Sequence, residues 1–532
     1  MMVWAVVMLP ALSLVLAELL TRRSELTGRI CLAGVSLALT LAAALVVRAL
    51  IGPPATSVAG PLSLTAGRLS AAMLVLVLGV SALVQAFALR NLSGASEQPR
   101  LIRTTALVTS AVALTVTAAH LVLLLLGWEL TTLGLLAVVG QRRELPLARE
   151  GLRRGARALL AGDAALLLAG ALIWRSAGDA SLSHLHRVAL ALGHARLPMP
   201  LFALPAAPCV AVLLTLAAAA RAAQLPGQSW LAATVTTPTP ASAMLHAGLV
   251  NAGGFLLVRL APVFADGPAG PALAVTIGLL TALYASTLSL TRPDVKGGLA
   301  QSTSAQMGFM LMACGLGAYA AAIAHLIGHG LYKASAFLAA DGAVAAHTAK
   351  RAGPRPEPGA GPAPAVLAAV ASVCAAAMLA ALASFARPAL SEPGAVVPLC
   401  FAWAAAVTVS ASLLRRALLP VTVVLAMGAL VLTAYCGLLA ALSAYLRLPD
   451  PGSHTLPLVF TLPAIAAAFL ALQALLSPAR GIGRVLEPRL YPRLLELGGV
   501  CVRPLPSRGA ARTLLRRPAE QPARLAEQGA AA

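Results

Sequence analysis

Charge is scarce in this sequence, and acidic charge scarcest. Of 532 residues only 11% are Asp, Glu, Lys or Arg, with 18 acids against 39 bases. That is too little polar surface to cover the core of a soluble chain this long. Disorder is excluded from the other direction, because 59% of the residues are hydrophobic. A net charge of +21 would suit a nucleic-acid partner. So apolar a chain has little water-facing surface for a groove, however, and no nucleic acid is expected. Cysteine offers no site either. The seven are scattered, without a CxxC pair or a Cys/His cluster, which leaves zinc, iron–sulfur and haem centres without support. No metal and no other cofactor is expected. A polytopic membrane protein remains, with lipid around most of its surface.

A membrane-crossing helix needs about 20 mostly apolar residues. By that measure spans fall at 3–20, 28–50, 69–89, 104–119, 121–140, 158–176 and 200–236. They continue at 240–262, 270–290, 298–316, 319–345, 361–384, 396–414, 420–446 and 455–476, which makes 14 or 15 helices. The first lacks a cleavage-site pattern and is read as a transmembrane helix, not a signal peptide. The chain is expected to turn near Ala119 and His120. In 200–236 the run Gln224-Leu225-Pro226-Gly227 predicts a broken helix, since Pro226 lacks a backbone donor and clashes with the preceding turn. Residues 183–196 look amphipathic and are expected to form an interfacial loop helix.

If the first helix runs from outside to inside, 29 of the 39 basic residues fall on the inner side. The positive-inside rule then fixes the orientation, with a cytoplasmic C-terminus. Two domains are expected: a transmembrane domain over 1–477 and a basic cytoplasmic tail over 478–532.

Ionisable groups at bilayer depth are costly, so they mark either an ion path or a structural pair. Glu129 lies mid-span. Asp163 lies two turns into its helix with Arg157 six residues earlier, which suggests an orienting ion pair as readily as a relay. Arg221 immediately precedes the Gln224–Pro226 break. His246 sits in a helix of its own, where packing explains it as well as proton transfer does. His325, His329 and Lys333, at i, i+4 and i+8, share one helix face. Three ionisable groups on one buried stripe are hard to explain by packing alone. Low dielectric disfavours the charged form of any such group, and histidine titrates near neutral pH, so the set suits proton movement. Glu18, beside Arg22 and Arg23 at a helix end, is read as an interfacial ion pair.

The segment TPTPASAMLHAGLVNAGGFLLVRLAPVF at 237–264 resembles the central signature of the antiporter-like membrane subunits. These are found in NADH:quinone oxidoreductase (its subunit L), in Mrp antiporters and in DAB-type inorganic carbon transporters. The stretch DVKGGLAQSTSAQMGFMLMACGLGAYAAAIAHLIGHGLYKASAFLA at 294–339 is similar to the same family. GWELTTLG at 127–134 and LAGDAALLL at 160–168 complete the pattern in order. The resemblance implies an all-α fold with two inverted five-helix repeats, each with a broken helix, and a midplane line of charge that conducts protons. Carried over by position, Glu129 would pair with the residue at the break, Arg221. His246 and the His325–His329–Lys333 stripe would continue the relay, Asp163 would be the acid on the helix after Glu129, and Asp294 and Lys296 would be structural. Asn251 and the version WELTTLGL favour the inorganic-carbon branch. Members of that branch work with a large soluble partner resembling a zinc β-carbonic anhydrase.

The resemblance thus implies a proton- or cation-conducting subunit of a CO2/bicarbonate uptake complex in the cell membrane, with enzyme chemistry in the partner. Two alternatives stand beside it. One is a pumping subunit of a respiratory, hydrogenase-type or Mrp complex; the other is a scaffold with a degenerate relay. The chain departs from the family in placing Arg221 where lysine is usual, and no lysine follows Lys350.

Overall fold

The computed structural model describes residues 1–340 apart from 22, 58–59, 179, 199–202 and 293, then 342, 373, 396–415, 420–447 and 493. Helices α1 (Met2–Leu20) and α2 (Ser24–Ile51) lead into a hairpin of β1 (Ala55–Ser57) and β2 (Leu64–Ala66), paired antiparallel. Four long helices follow: α3 (Arg68–Asn91), α4 (Gln98–Thr117), α5 (Leu121–Val139) and α6 (Pro146–Ala177). The amphipathic segment forms α7 (Leu185–His194), ahead of a second hairpin of β3 (Arg196–Pro198) and β4 (Ala203–Pro205).

The centre is made of shorter pieces: α8 (Ala206–Arg221), α9 (Ser229–Ala232), α10 (Thr239–Ala247), α11 (Ala252–Arg259) and α12 (Ala261–Phe264). Then come α13 (Ala269–Thr291), α14 (Val295–Gly315), α15 (Tyr319–Leu338), α16 (Val396–Arg415) and α17 (Val421–Leu446). Eight helical segments among the described residues are long and apolar enough to cross a membrane. The spans expected at 361–384 and 455–476, the second broken helix, and the boundary at 477 lie outside the described residues.

Local chemistry explains the ends. A proline opens α4 and α6, where its missing N–H has no helical partner to lose. Asp294 accepts from the Gly297 N–H at 2.6 Å and caps α14. α6 stops at Gly178, which adopts φ 63°, a left-handed value that favours glycine.

The loops at one end of the bundle are sewn together. Ala119 N donates to Ser63 O at 3.0 Å, Leu121 N to Ala180 O at 2.8 Å and Leu182 N to Ala119 O at 2.9 Å. At the opposite end the ties are ionic: Arg142 with Glu97 at 3.0 Å and Arg103 with Glu18 at 2.8 Å. Glu18 therefore pairs with α4, because α1 and α4 lie side by side.

Close packing joins α13 to α14. A Cβ on Gly278 or on Gly308 would stand 2.5 Å from the other's carbonyl oxygen, the small-residue contact that holds helices together where lipid supplies no hydrophobic drive. Gly308→Val is expected to destabilise the chain by about 1–3 kcal/mol through overpacking. Gly328→Ala, on α15 with open space around it, should leave the thermal unfolding midpoint in detergent unchanged or raised.

Candidate functional site

Two helix breaks meet in the bundle interior. The first follows Arg221, as expected for the Gln224–Gly227 run. Ala223 takes φ 52° and turns the chain out of α8. The exposed backbone and amide groups find partners on neighbouring helices: Leu225 N donates to Thr281 Oγ1 at 3.1 Å, and Gln224 Nε2 donates to Ala222 O at 2.7 Å and Ser304 O at 3.2 Å.

The second break was not expected, since 240–262 reads as one span. Asn251 explains it. Its side-chain Nδ2 takes the Ala247 carbonyl at 2.7 Å. Its own N–H turns instead to Gly248 O, three residues back, at 3.2 Å. A side-chain amide competing for a helix carbonyl is a known helix-bending device.

Around the first break lies a buried ion pair. Arg221, 1% exposed, reaches Asp163 Oδ1 at 3.2 Å, with Asp163 itself buried. The guanidinium stacks over the Trp128 ring at 4.1 Å and donates to the Thr132 hydroxyl. Trp128 Nε1 donates to the same Asp163 oxygen at 2.7 Å. The cage is therefore closed by α5, α6 and α8.

Two pairings read from the sequence are corrected by this geometry. Asp163 does not pair with Arg157, which is exposed; its partner is Arg221. Arg221 in turn pairs with Asp163 and not with Glu129. The reason is helical azimuth. Trp128 and Thr132, four apart, share the face of α5 that meets α6 and α8, whereas Glu129 is rotated about 100° from Trp128. Glu129 is half-buried, its Oε1 has no hydrogen-bond partner, and it stays within Coulombic range of Asp163 and Arg221. Trp128 and Thr132 were missed as site residues, although their i, i+4 spacing beside Glu129 was visible.

The second cluster joins α10, α14 and α15. His246, 1% exposed, stacks on Phe337 with ring centroids 4.3 Å apart and lies 3.2 Å from Thr303 Oγ1 through its Nδ1. Thr303 Oγ1 donates to Leu299 O at 2.9 Å, and Lys333 Nζ donates to the same carbonyl at 3.0 Å. One carbonyl thus links His246 to Lys333. Lys333 is fully buried, and among the described residues no carboxylate pairs with it.

Two members of the expected stripe, His325 and His329, lie against each other. His325 and His329 have rings 5.9 Å apart, and both nitrogens of His329 are buried without a hydrogen-bond partner. Gly330 permits the approach of α15, since a Cβ there would stand 2.9 Å from Ala247 O. Asp294 and Lys296 lie at the ionic end of the bundle, where Lys296 Nζ donates to Thr237 O at 3.2 Å.

Between the two clusters lies a cavity of about 40 Å³, lined in part by Thr115, Trp128, Thr131, Asn251 and Leu326. Asn251 Oδ1 is buried and without a partner. Most of the remaining lining is apolar, from residues such as Leu76, Val80, Val112 and Phe255.

Residues 118–352 match the family described as the transmembrane region of NADH:quinone oxidoreductase and Mrp antiporters. Over 343 residues the chain is 37% identical to the probable inorganic carbon transporter subunit DabB1 of Halothiobacillus neapolitanus, covering 63% of this chain and 60% of that one. It is 34% identical over 281 residues to the probable inorganic carbon transporter subunit DabB of Bacillus subtilis, covering 52% and 54%. It is also 31% identical over 274 residues to NADH-quinone oxidoreductase subunit L of Mycobacterium tuberculosis, covering 51% and 42%. The chain thus spans roughly two-fifths to three-fifths of the length of these relatives.

Among solved structures, the Mrp complex from Dietzia sp. superposes with TM-score 0.59 at 24% identity, over 97% of this chain and 61% of that one. An archaeal membrane-bound sulfane sulfur reductase superposes with TM-score 0.56 at 18% identity, over 94% and 85%. These two likenesses establish a shared fold.

Proposed function

Starting from an antiporter-like membrane module over residues 118–352, we propose that this chain is the proton-conducting subunit of an inorganic-carbon uptake complex in the cell membrane. The observation that carries conduction is Lys333, buried without a carboxylate and tied through Leu299 O and Thr303 to His246. Such an amine changes charge state readily, whereas a guanidinium does not. Arg221, caged by Asp163, Trp128 and Thr132, is then a fixed cation beside the path. Glu129 is the group on α5 that takes up and releases a proton. The path from α5 to the histidine–lysine cluster runs beside Thr131 and Asn251, and His329 and His325 extend it along α15.

The likeness to probable inorganic carbon transporter subunits supports the carbon branch. In this reading a soluble zinc β-carbonic-anhydrase-like partner docks on the arginine-rich, cytoplasmic side and hydrates CO2, driven by inward proton flow. Purification of the tagged chain from native membranes is expected to recover that zinc protein in stoichiometric amount. Recovery of NADH:quinone oxidoreductase subunits instead would overturn the assignment in favour of the respiratory reading.

A further inference from the structure

A surface feature outside the charged clusters has the chemistry of a ligand site. Between α1, α4 and α5 runs an apolar groove of about 440 Å³, walled by Ala11, Leu107, Leu114, Leu130 and Gly134. Leu107 and Leu130 are exposed at its lips, and so is Leu133 beside them. At the ionic end of the bundle, next to the groove, lies a basin of about 510 Å³ lined by Arg100, Arg103, Arg143 and Glu144. Thr104 and Ala137 line both spaces, so the two adjoin at these residues.

The basin has three guanidiniums and one carboxylate on its walls. Arg103 is engaged by Glu18 at 2.8 Å. Arg100 and Arg143 are exposed and have no carboxylate partner among the described residues. Arg143 spends only its Nε on a neighbouring carbonyl, Gly140 O, at 3.2 Å.

We infer that this combined groove and basin binds an anionic phospholipid. The headgroup phosphate is held by Arg100 and Arg143, and an acyl chain runs along α1, α4 and α5. The order of chemistry along the membrane normal matches such a molecule. Cationic, hydrogen-bonding surface lies at the interface, and an apolar groove adjoins it between helices. A soluble anion would use only the basin, and an apolar helix would use only the groove. A phospholipid uses both. Basic pockets between transmembrane helices are a recurring way of recognising anionic headgroups.

The test is native mass spectrometry of the full chain in detergent, titrated with phosphatidylglycerol, phosphatidylcholine or glycerol phosphate. Phosphatidylglycerol is expected to be retained in preference to phosphatidylcholine, with glycerol phosphate failing to compete. At about 1 kcal/mol for each arginine, the double variant Arg100→Ala/Arg143→Ala should weaken phosphatidylglycerol binding about thirtyfold. Ala137→Trp, at the junction of groove and basin, should abolish it; Ala11→Phe, which fills the groove itself, is the second test should the first not fold. Equal retention of both lipids, or undiminished binding by the arginine double variant, overturns the site. Effective competition by glycerol phosphate overturns it too, since the basin alone would then be the binding element.

Discussion

Asp163→Asn is expected to lower the stability of the full chain by about 3–5 kcal/mol, because it strips a buried guanidinium of its counter-ion. Arg221 and Asp163 are both almost wholly inaccessible, and their contact of 3.2 Å is the only ion pair on either group among the described residues. The stacked Trp128 ring and the Thr132 hydroxyl remain in the variant, yet neither carries a compensating charge. Arg157→Ala, at an exposed position, should shift stability by no more than about 0.5 kcal/mol. The combination Asp163→Asn with Arg221→Met removes both charges and should recover most of the loss, as expected when two residues act on each other. Thermal unfolding in detergent, followed by tryptophan fluorescence, reads all three. Equal losses from Asp163→Asn and Arg157→Ala would show that the cage is not what holds α5, α6 and α8 together.

The second large effect concerns transport. Lys333→Met keeps the length and apolar stem of the side chain but removes the amine that Leu299 O accepts from. If the amine passes protons, flux through proteoliposomes containing the intact complex should fall by about a hundredfold or more, the usual contribution of a positioned proton-transfer group. Lys333→Arg should not rescue it, because a guanidinium holds its proton at any physiological pH. Glu129→Gln should be as severe. Arg221→Lys separates the two roles, since it keeps the charge beside Asp163 while surrendering part of the stack on Trp128 and the fork to Thr132. Retained flux in Arg221→Lys with lost flux in Lys333→Arg is the expected pattern. Undiminished flux in both Glu129→Gln and Lys333→Met would sink the relay and leave a scaffold.

Much of the architecture was legible in the sequence because its signals are local. Apolar runs of about 20 residues mark spans regardless of what they touch. Pro226 ends α8 by the same local rule that disfavours it anywhere inside a helix. The His325–His329–Lys333 stripe follows from 3.6 residues per turn. The break at Gly248–Asn251 was less legible. Its cause is one side-chain amide capturing a carbonyl four residues back, and nothing in the hydropathy of 240–262 signals that choice.

Sequence alone therefore determined the membrane class, the approximate helices and which polar residues share a helix face. It also singled out Glu129, Asp163, Arg221, His246 and Lys333 as the groups to explain. Tertiary structure decided the pairings: Arg221 with Asp163 instead of Glu129, Glu18 with Arg103, and Lys333 with His246 through a shared carbonyl. Periodicity says which side chains point the same way along one helix. It does not say which neighbour that face will meet, because helix rotation and approach are set by packing across the whole bundle. Here Gly278 against Gly308, and Gly330 against the Ala247 carbonyl, bring the helices close enough for these contacts to form.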